Sequence, residues 1–139
     1  MDKKADYDKS GLMGQALAAR NRAYAPYSHY TVGAALLTAE GAIYQGCNIE
    51  NASYGATNCA ERTAFFKAVS EGERKFTAIA IVGGPEGEAP SGFASPCGIC
   101  RQIMQEFCGE DFRIFLVKNT EEYKEFTLAQ MLPFAFSLE

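Results

Sequence analysis

Three cysteines and a glutamate carry the chemistry that this sequence offers. Cys97 and Cys100 form a Cys-x-x-Cys pair in the segment Ser95-Pro96-Cys97-Gly98-Ile99-Cys100-Arg101. Cys59 stands in a second segment, Asn58-Cys59-Ala60-Glu61-Arg62. Each segment opens a predicted helix straight after a loop. Free N–H groups and the positive dipole end of a helix stabilise thiolates placed there. Zinc is the natural partner of sulfur ligands and takes four positions.

Counting the remaining donors is informative. The chain has five cysteines and one histidine. His29 falls in a turn among Tyr and Ser residues, Cys47 in a strand and Cys108 at the far end of its helix, and none has a motif around it. Three ligands and an open position are what a catalytic zinc requires, with water as the fourth ligand. Glu61, two residues from Cys59, can reach that water without binding the metal and pass its proton to a substrate nitrogen. Three thiolates on Zn²⁺ leave a net charge of −1, which makes bound water less acidic. A cation beside the sulfurs, Arg62 or Arg101, would draw charge off them. A lone Cys-x-x-Cys pair also suits a thioredoxin-like redox pair or half of a structural zinc site. The preceding Pro96 and the distant Cys-Ala-Glu at a helix start favour the catalytic reading, because Pro-Cys-x-x-Cys with a non-ligand glutamate is a zinc-deaminase arrangement.

The elements that must position these residues follow from periodicity. Residues 8–23 have helical spacing, with Leu12, Ala16, Ala19 and Ala23 on one face, and Pro26 enforces an end. Residues 30–37 and 42–49 read as a hairpin around a turn in which Gly41 takes positive φ. A polar loop, 51–57, leads into a helix over 59–70, stopped at Gly72. Residues 76–82 form an almost continuous apolar strand, covered on both faces. Residues 83–95 read as a long loop, followed by a helix capped by Ser95 with Pro96 in its first turn. That helix runs to about Cys108. A strand over 112–117 and a short segment from about Phe126 to Pro133 complete the chain. Strands alternating with helices after one hairpin predict a three-layer α/β/α domain with a mixed sheet.

Bulk properties set the outer bounds. The 139 residues are one domain in length, 1–139, and 47% hydrophobic residues supply its core. A net charge of −4 and a pI of about 5.1 argue against nucleic-acid binding and leave a small neutral ligand open. An odd cysteine count argues against a disulfide framework. The charged start, 1–6, does not resemble a signal peptide, and no run of about 18 apolar residues exists to span a membrane. A cytoplasmic location is the expectation.

Across nearly its whole length the chain resembles the small, homotetrameric cytidine deaminases. The resemblance rests on Ala25-Pro26-Tyr27-Ser28, Val32-Gly33-Ala34-Ala35, Gly46-Cys47-Asn48-Ile49-Glu50-Asn51, Cys59-Ala60-Glu61-Arg62-Thr63-Ala64 and Ser95-Pro96-Cys97-Gly98-Ile99-Cys100-Arg101-Gln102. It implies a five-stranded mixed sheet, a Zn²⁺ cofactor, and hydrolysis of cytidine and deoxycytidine to uridine and deoxyuridine with release of ammonia, a step of pyrimidine salvage. Cys59, Cys97 and Cys100 match the zinc ligands, Glu61 the proton shuttle and Arg62 an arginine bonded to ligand sulfur. Asn48 and Glu50 match the pair that binds the ribose hydroxyls, and Ala60 a residue whose backbone N–H meets the base carbonyl. Tyr30 stands where the family commonly has a phenylalanine against the pyrimidine ring. Tyr54 and Phe136 match aromatics that line active sites across subunit boundaries. Three departures accompany the match: the added hydroxyl of Tyr30, which needs a partner if buried, the bulk of Phe134, and the length of the 83–95 loop.

Overall fold

The computed structural model describes residues 7–138; the charged 1–6 segment lies outside the described residues. Its sheet has five strands in the order β2-β1-β3-β4-β5. These are β1 (Tyr30–Thr38), β2 (Ile43–Cys47), β3 (Phe76–Pro85), β4 (Arg113–Val117) and β5 (Tyr123–Thr127). The β3–β4 pair is parallel and every other pair antiparallel. A parallel pair needs a crossover, which α3 (Gly98–Phe107) supplies. The other helices are α1 (Lys9–Arg20), α2 (Ala60–Ser70) and the short α4 (Leu128–Met131).

Period-two alternation divides the central strands between two cores. Leu12, Met13 and Ala16 of α1 bury one face with Ala35, Leu37, Ala78, Ala80 and Val82. Ala34, Leu36, Ile79, Ile81, Ile114 and Leu116 point the other way, onto Ala64 and Phe65 of α2, Met104 of α3 and Leu128 of α4. Helices therefore cover both faces, as the three-layer expectation required. The helices close down onto strand glycines: a Cβ on Gly33 would collide with Ala16 and Arg20 backbone, and one on Gly46 with the backbone of Ala60 and Ala64. The second contact sets the depth of the α2 N-terminus against β2, and with it the position of Cys59 and Glu61.

Several boundaries differ from the sequence reading. The first helix stops at Arg20 rather than 23, well before Pro26, because Tyr24 leaves to bond Asn48 O and Glu50 N. The second strand spans Ile43–Cys47; Ile49 instead pairs with Tyr24 and Asn58. The third strand continues through Pro85, so Gly83 and Gly84 belong to the sheet and not to the loop. Cys97, not Ser95, is the N-cap of α3, and Pro96 precedes the helix. The final segment contains a whole edge strand, β5, and a helix capped by the reciprocal Thr127–Gln130 bonds of a capping box. Charged and polar positions in β5 hid it from a periodicity argument.

Candidate metal centre and adjoining cavity

Two helix N-termini meet at the sulfur cluster. Cys59 is the N-cap of α2 and Cys97 the N-cap of α3, and neither side chain caps its own helix. Cys100 lies one turn into α3 and is buried. The loop entering α2 is fixed by bonds in both directions between Ile49 and Asn58. Thr63 Oγ1 locks it further, donating to Cys47 O at 3.0 Å and accepting from Asn58 Nδ2 at 3.0 Å. The entry to α3 is fixed by Arg101, which donates to Pro96 O, Met131 O and Ser95 Oγ, each at 2.8 Å.

The three Sγ atoms lie within 4.8 Å of one another. Cys97 to Cys100 is 3.5 Å and Cys59 to Cys97 is 3.9 Å. Tetrahedral zinc with Zn–S bonds of about 2.3 Å needs sulfur–sulfur separations of about 3.8 Å. Among the described residues no other set of three such donors converges. The donor chemistry and the spacing both fit zinc, with three protein ligands and not four.

The electrostatics around the sulfurs favour one thiolate, at Cys59. The Cys59 thiol is lowered to about 5, first by its hydrogen bond with Cys100 and then by Arg62. The Cys100 thiol is raised by that same bond and by burial. Arg62 Nη2 donates to Cys59 Sγ at 3.3 Å, and the bond raises the arginine in turn. Arg62 Nε is the one buried side-chain N or O atom among the described residues without a hydrogen-bond partner. The cation beside the sulfurs is therefore Arg62; Arg101, the alternative, spends its donors on the backbone and on Ser95.

Glu61 is 4% exposed. Burial drives its carboxyl up to about 7, and the Cys59 thiolate adds to the rise. It faces a cavity of about 230 Å³ lined by Tyr30, Val32, Asn48, Ala60, Ile81, Ala94 and Cys97 among others. That volume suits one small ring system better than an extended ligand. The expected groups Tyr30, Asn48, Ala60, Glu61, Cys59 and Cys97 thus share one cavity. Tyr30 is 40% exposed at the cavity.

Glu50, Tyr54 and Phe136 stand apart from that cavity. Glu50 and Tyr54 line a neighbouring depression with Tyr27 and Ser28; Thr57 borders both. Tyr54 and Phe136 are 79% and 67% exposed. The Phe136 carbonyl accepts from Gln102 Nε2, which pins the tail along α3. Phe134 turns that tail with φ of 55°. His29 also has φ of 55°, is exposed, and pairs with Glu86, away from the sulfurs.

The structure adds groups that sequence reasoning did not assign. Glu50 accepts from the backbone N–H groups of Tyr27 and Ser28 and from the Ser28 hydroxyl. The Ser28 hydroxyl bond holds the carboxyl below its ordinary range. The signal was present in the motif Ala25-Pro26-Tyr27-Ser28, whose role was unassigned. Asn48 spends one donor on Tyr30 O and one acceptor position on Val32 N.

Fold and site together define a zinc-binding α/β/α protein with three cysteine ligands and a buried carboxylic acid beside them. The model of a family described as the cytidine and deoxycytidylate deaminase zinc-binding region matches residues 6–116. The cytidine deaminase of Sporosarcina psychrophila is 51% identical over 132 residues, 95% of this chain and 93% of that protein. That of Halalkalibacterium halodurans is 48% identical, covering 95% and 96%. The crystal structure of cytidine deaminase from Burkholderia pseudomallei superposes with a TM-score of 0.85 at 44% identity, over 94% of this chain and all of that one. The chain belongs to the cytidine deaminase family.

Proposed function

We propose that this chain hydrolyses the 4-amino group of cytidine and deoxycytidine, giving uridine or deoxyuridine and ammonia. The single observation that carries the reading is the buried Glu61 carboxyl, set beside three convergent sulfurs and open to a ring-sized cavity. Cys59, Cys97 and Cys100 would hold zinc, which supplies the Lewis acidity that makes water nucleophilic at neutral pH. Glu61 is the proton carrier. Burial raises this carboxyl in the metal-free fold, the direction that suits a group which accepts a proton and returns it. It takes one from the attacking water, donates it to ring N3, and delivers another to the departing amino group. Arg62 draws charge from Cys59, and the Ala60 N–H at the open end of α2 is available to the base carbonyl.

The ribose reading gains support from hydrogen-bond capacity. A carboxylate has about four acceptor positions and an amide two donors and two acceptor positions. Glu50 has used three of its positions and Asn48 one donor and one acceptor. One donor and two acceptor positions remain for two adjacent hydroxyls. Because Glu50 lies one depression away, the sugar would bridge the two hollows past Thr57.

The chain is proposed to act as one domain, in pyrimidine salvage, in the cytoplasm; no described helix is long and apolar enough to cross a membrane. It is proposed to assemble as a homotetramer with shared active sites. Ile49, Tyr54, Phe66, Ile99, Phe134 and Phe136 are exposed apolar groups that such assembly would cover. The test measures zinc content together with ammonia release from cytidine, deoxycytidine, a cytosine-containing oligonucleotide and a nucleoside antibiotic. One zinc per chain with turnover of the two free nucleosides supports the reading. Zinc without any ammonia release makes the chain a binding module, and preference for the oligonucleotide or the antibiotic removes the substrate assignment.

A further inference from the structure

We infer that Gly83 is a positioning residue for the pyrimidine-facing wall of the cavity, because it leaves the space that the Tyr30 ring occupies. The inference rests on the reading of this cavity as the nucleoside pocket. Gly83 is buried in β3 opposite Val32, and its backbone is not in the left-handed region. Alanine is therefore permitted there by conformation, and only space forbids it. A Cβ on Gly83 would stand 2.9 Å from Tyr30 Cε1, 3.1 Å from the Tyr30 hydroxyl oxygen and 2.9 Å from Ala94 Cβ. Tyr30 and Ala94 both line the cavity, from β1 and from the loop that precedes α3. Gly83 itself lies behind them.

The next residue repeats the arrangement. A Cβ on Gly84 would meet Arg20 Nη2 at 3.0 Å and Pro90 Cα at 3.1 Å. Two consecutive glycines at the end of β3 thus let the loop lie back on the sheet. The contacts at Gly83 are the ones that reach the cavity. A ring at position 30 and a side chain at position 83 compete for the same space, so the two positions form one unit. The ring is partly exposed and can move, whereas β3 at Gly83 is held by its pairing with Val32 of β1. A methyl group at 83 will therefore displace the Tyr30 ring and the Ala94 loop that line the cavity, and not the strand.

The test uses the zinc-loaded protein, with Tyr30 assigned by Tyr30→Phe and its ring followed by ¹³C NMR. Gly83→Ala is expected to move the Tyr30 ring signal without changing zinc content. KM for cytidine should rise about tenfold while kcat changes less than about threefold. In a Tyr30→Leu, Ala94→Gly background, which lacks every atom that the new Cβ would meet, Gly83→Ala should add little further to KM. An unmoved Tyr30 signal, or the same KM factor in both backgrounds, overturns the inference. Should Gly83→Ala alone fail to fold, the Tyr30→Leu, Ala94→Gly, Gly83→Ala variant must fold, and its failure also overturns the inference. A wild-type protein that does not deaminate cytidine removes the functional reading instead, and the ring signal still decides the packing claim.

Discussion

The sulfur cradle and the outer rim of the cavity are built in different ways. Every group of the cradle comes from two adjacent helix starts, Cys59 to Arg62 and Cys97 to Cys100, and their convergence is complete within one chain. The proposed rim would draw on Glu50, Tyr54 and Phe136, of which the two aromatics are mostly exposed and none lines the Glu61 cavity. Short spacing on a helix terminus fixes a side chain through its own backbone. A side chain on a loop or tail depends on whatever packs against it. The cradle should therefore respond to substitution by losing metal or chemistry outright, and the rim by graded changes in binding.

The largest expected effect tests the cradle. Cys97→Ala should abolish stoichiometric zinc, read by elemental analysis, and reduce ammonia release to background. Full zinc occupancy in that variant would remove Cys97 from the ligand set. Glu61→Gln comes next. It should retain one zinc per chain while kcat falls about 10²–10⁴-fold or more. Near-normal turnover would defeat the proton-carrier role.

The same variant isolates a pH dependence. The Glu61 carboxyl titrates near 7 in the fold against an ordinary value of 4.5, chiefly through burial. Below 4.5 the group is protonated in both folded and unfolded chains and costs nothing. Between 4.5 and about 7 the unfolded chain releases this proton while the fold retains it, so the group's contribution becomes unfavourable as pH rises through that window and levels off above it. For the zinc-free protein, stability relative to Glu61→Gln should fall by on the order of 3 kcal/mol between pH 4.5 and 7.5. Denaturant titrations of the two proteins at both pH values measure it. A constant difference would mean that Glu61 is solvated.

The contrast between cradle and rim also governs what could be read from the sequence. The cradle was legible because its ligand types are rare, closely spaced and placed at helix starts, where one local geometry follows. The three-layer architecture was legible too, since strands alternate with helices after a single hairpin. The edge strand Tyr123–Thr127 was not, because a strand exposed on its outer side carries little apolar periodicity. The reach of β3 through Gly83 and Gly84 was hidden as well, since paired glycines read as loop when nothing shows what fills the space of their missing side chains. Arg62 and Arg101 were indistinguishable by type and both near a ligand. Only tertiary contacts separated them, one on a sulfur and one on the carbonyls of Pro96 and Met131.

That separation supplies a sharper test of the cradle's supporting shell. Arg62→Gln should keep the three sulfurs but weaken zinc affinity about 10–100-fold, measured by competition with a chelator. Unchanged affinity would show that the Arg62–Cys59 bond has no hold on the metal.

The smallest effect belongs to the rim, and it decides whether the rim is a property of one chain or of an assembly. In a single chain the Phe136 ring is mostly exposed, its backbone is pinned to Gln102, and truncating it removes almost no packing. If it reaches a neighbouring subunit's active site, Phe136→Ala should raise KM for cytidine several-fold, leave zinc content unchanged, and leave kcat within about twofold. Tyr54→Ala should act in the same direction. Mixing Phe136→Ala chains with Glu61→Gln chains then asks where the ring acts. With shared sites, mixed assemblies contain intact Glu61 sites served by an intact Phe136 from a neighbour, so KM at the surviving sites moves back toward the unsubstituted value. With self-contained sites, the KM of the mixture stays at that of Phe136→Ala, whatever the mixing ratio.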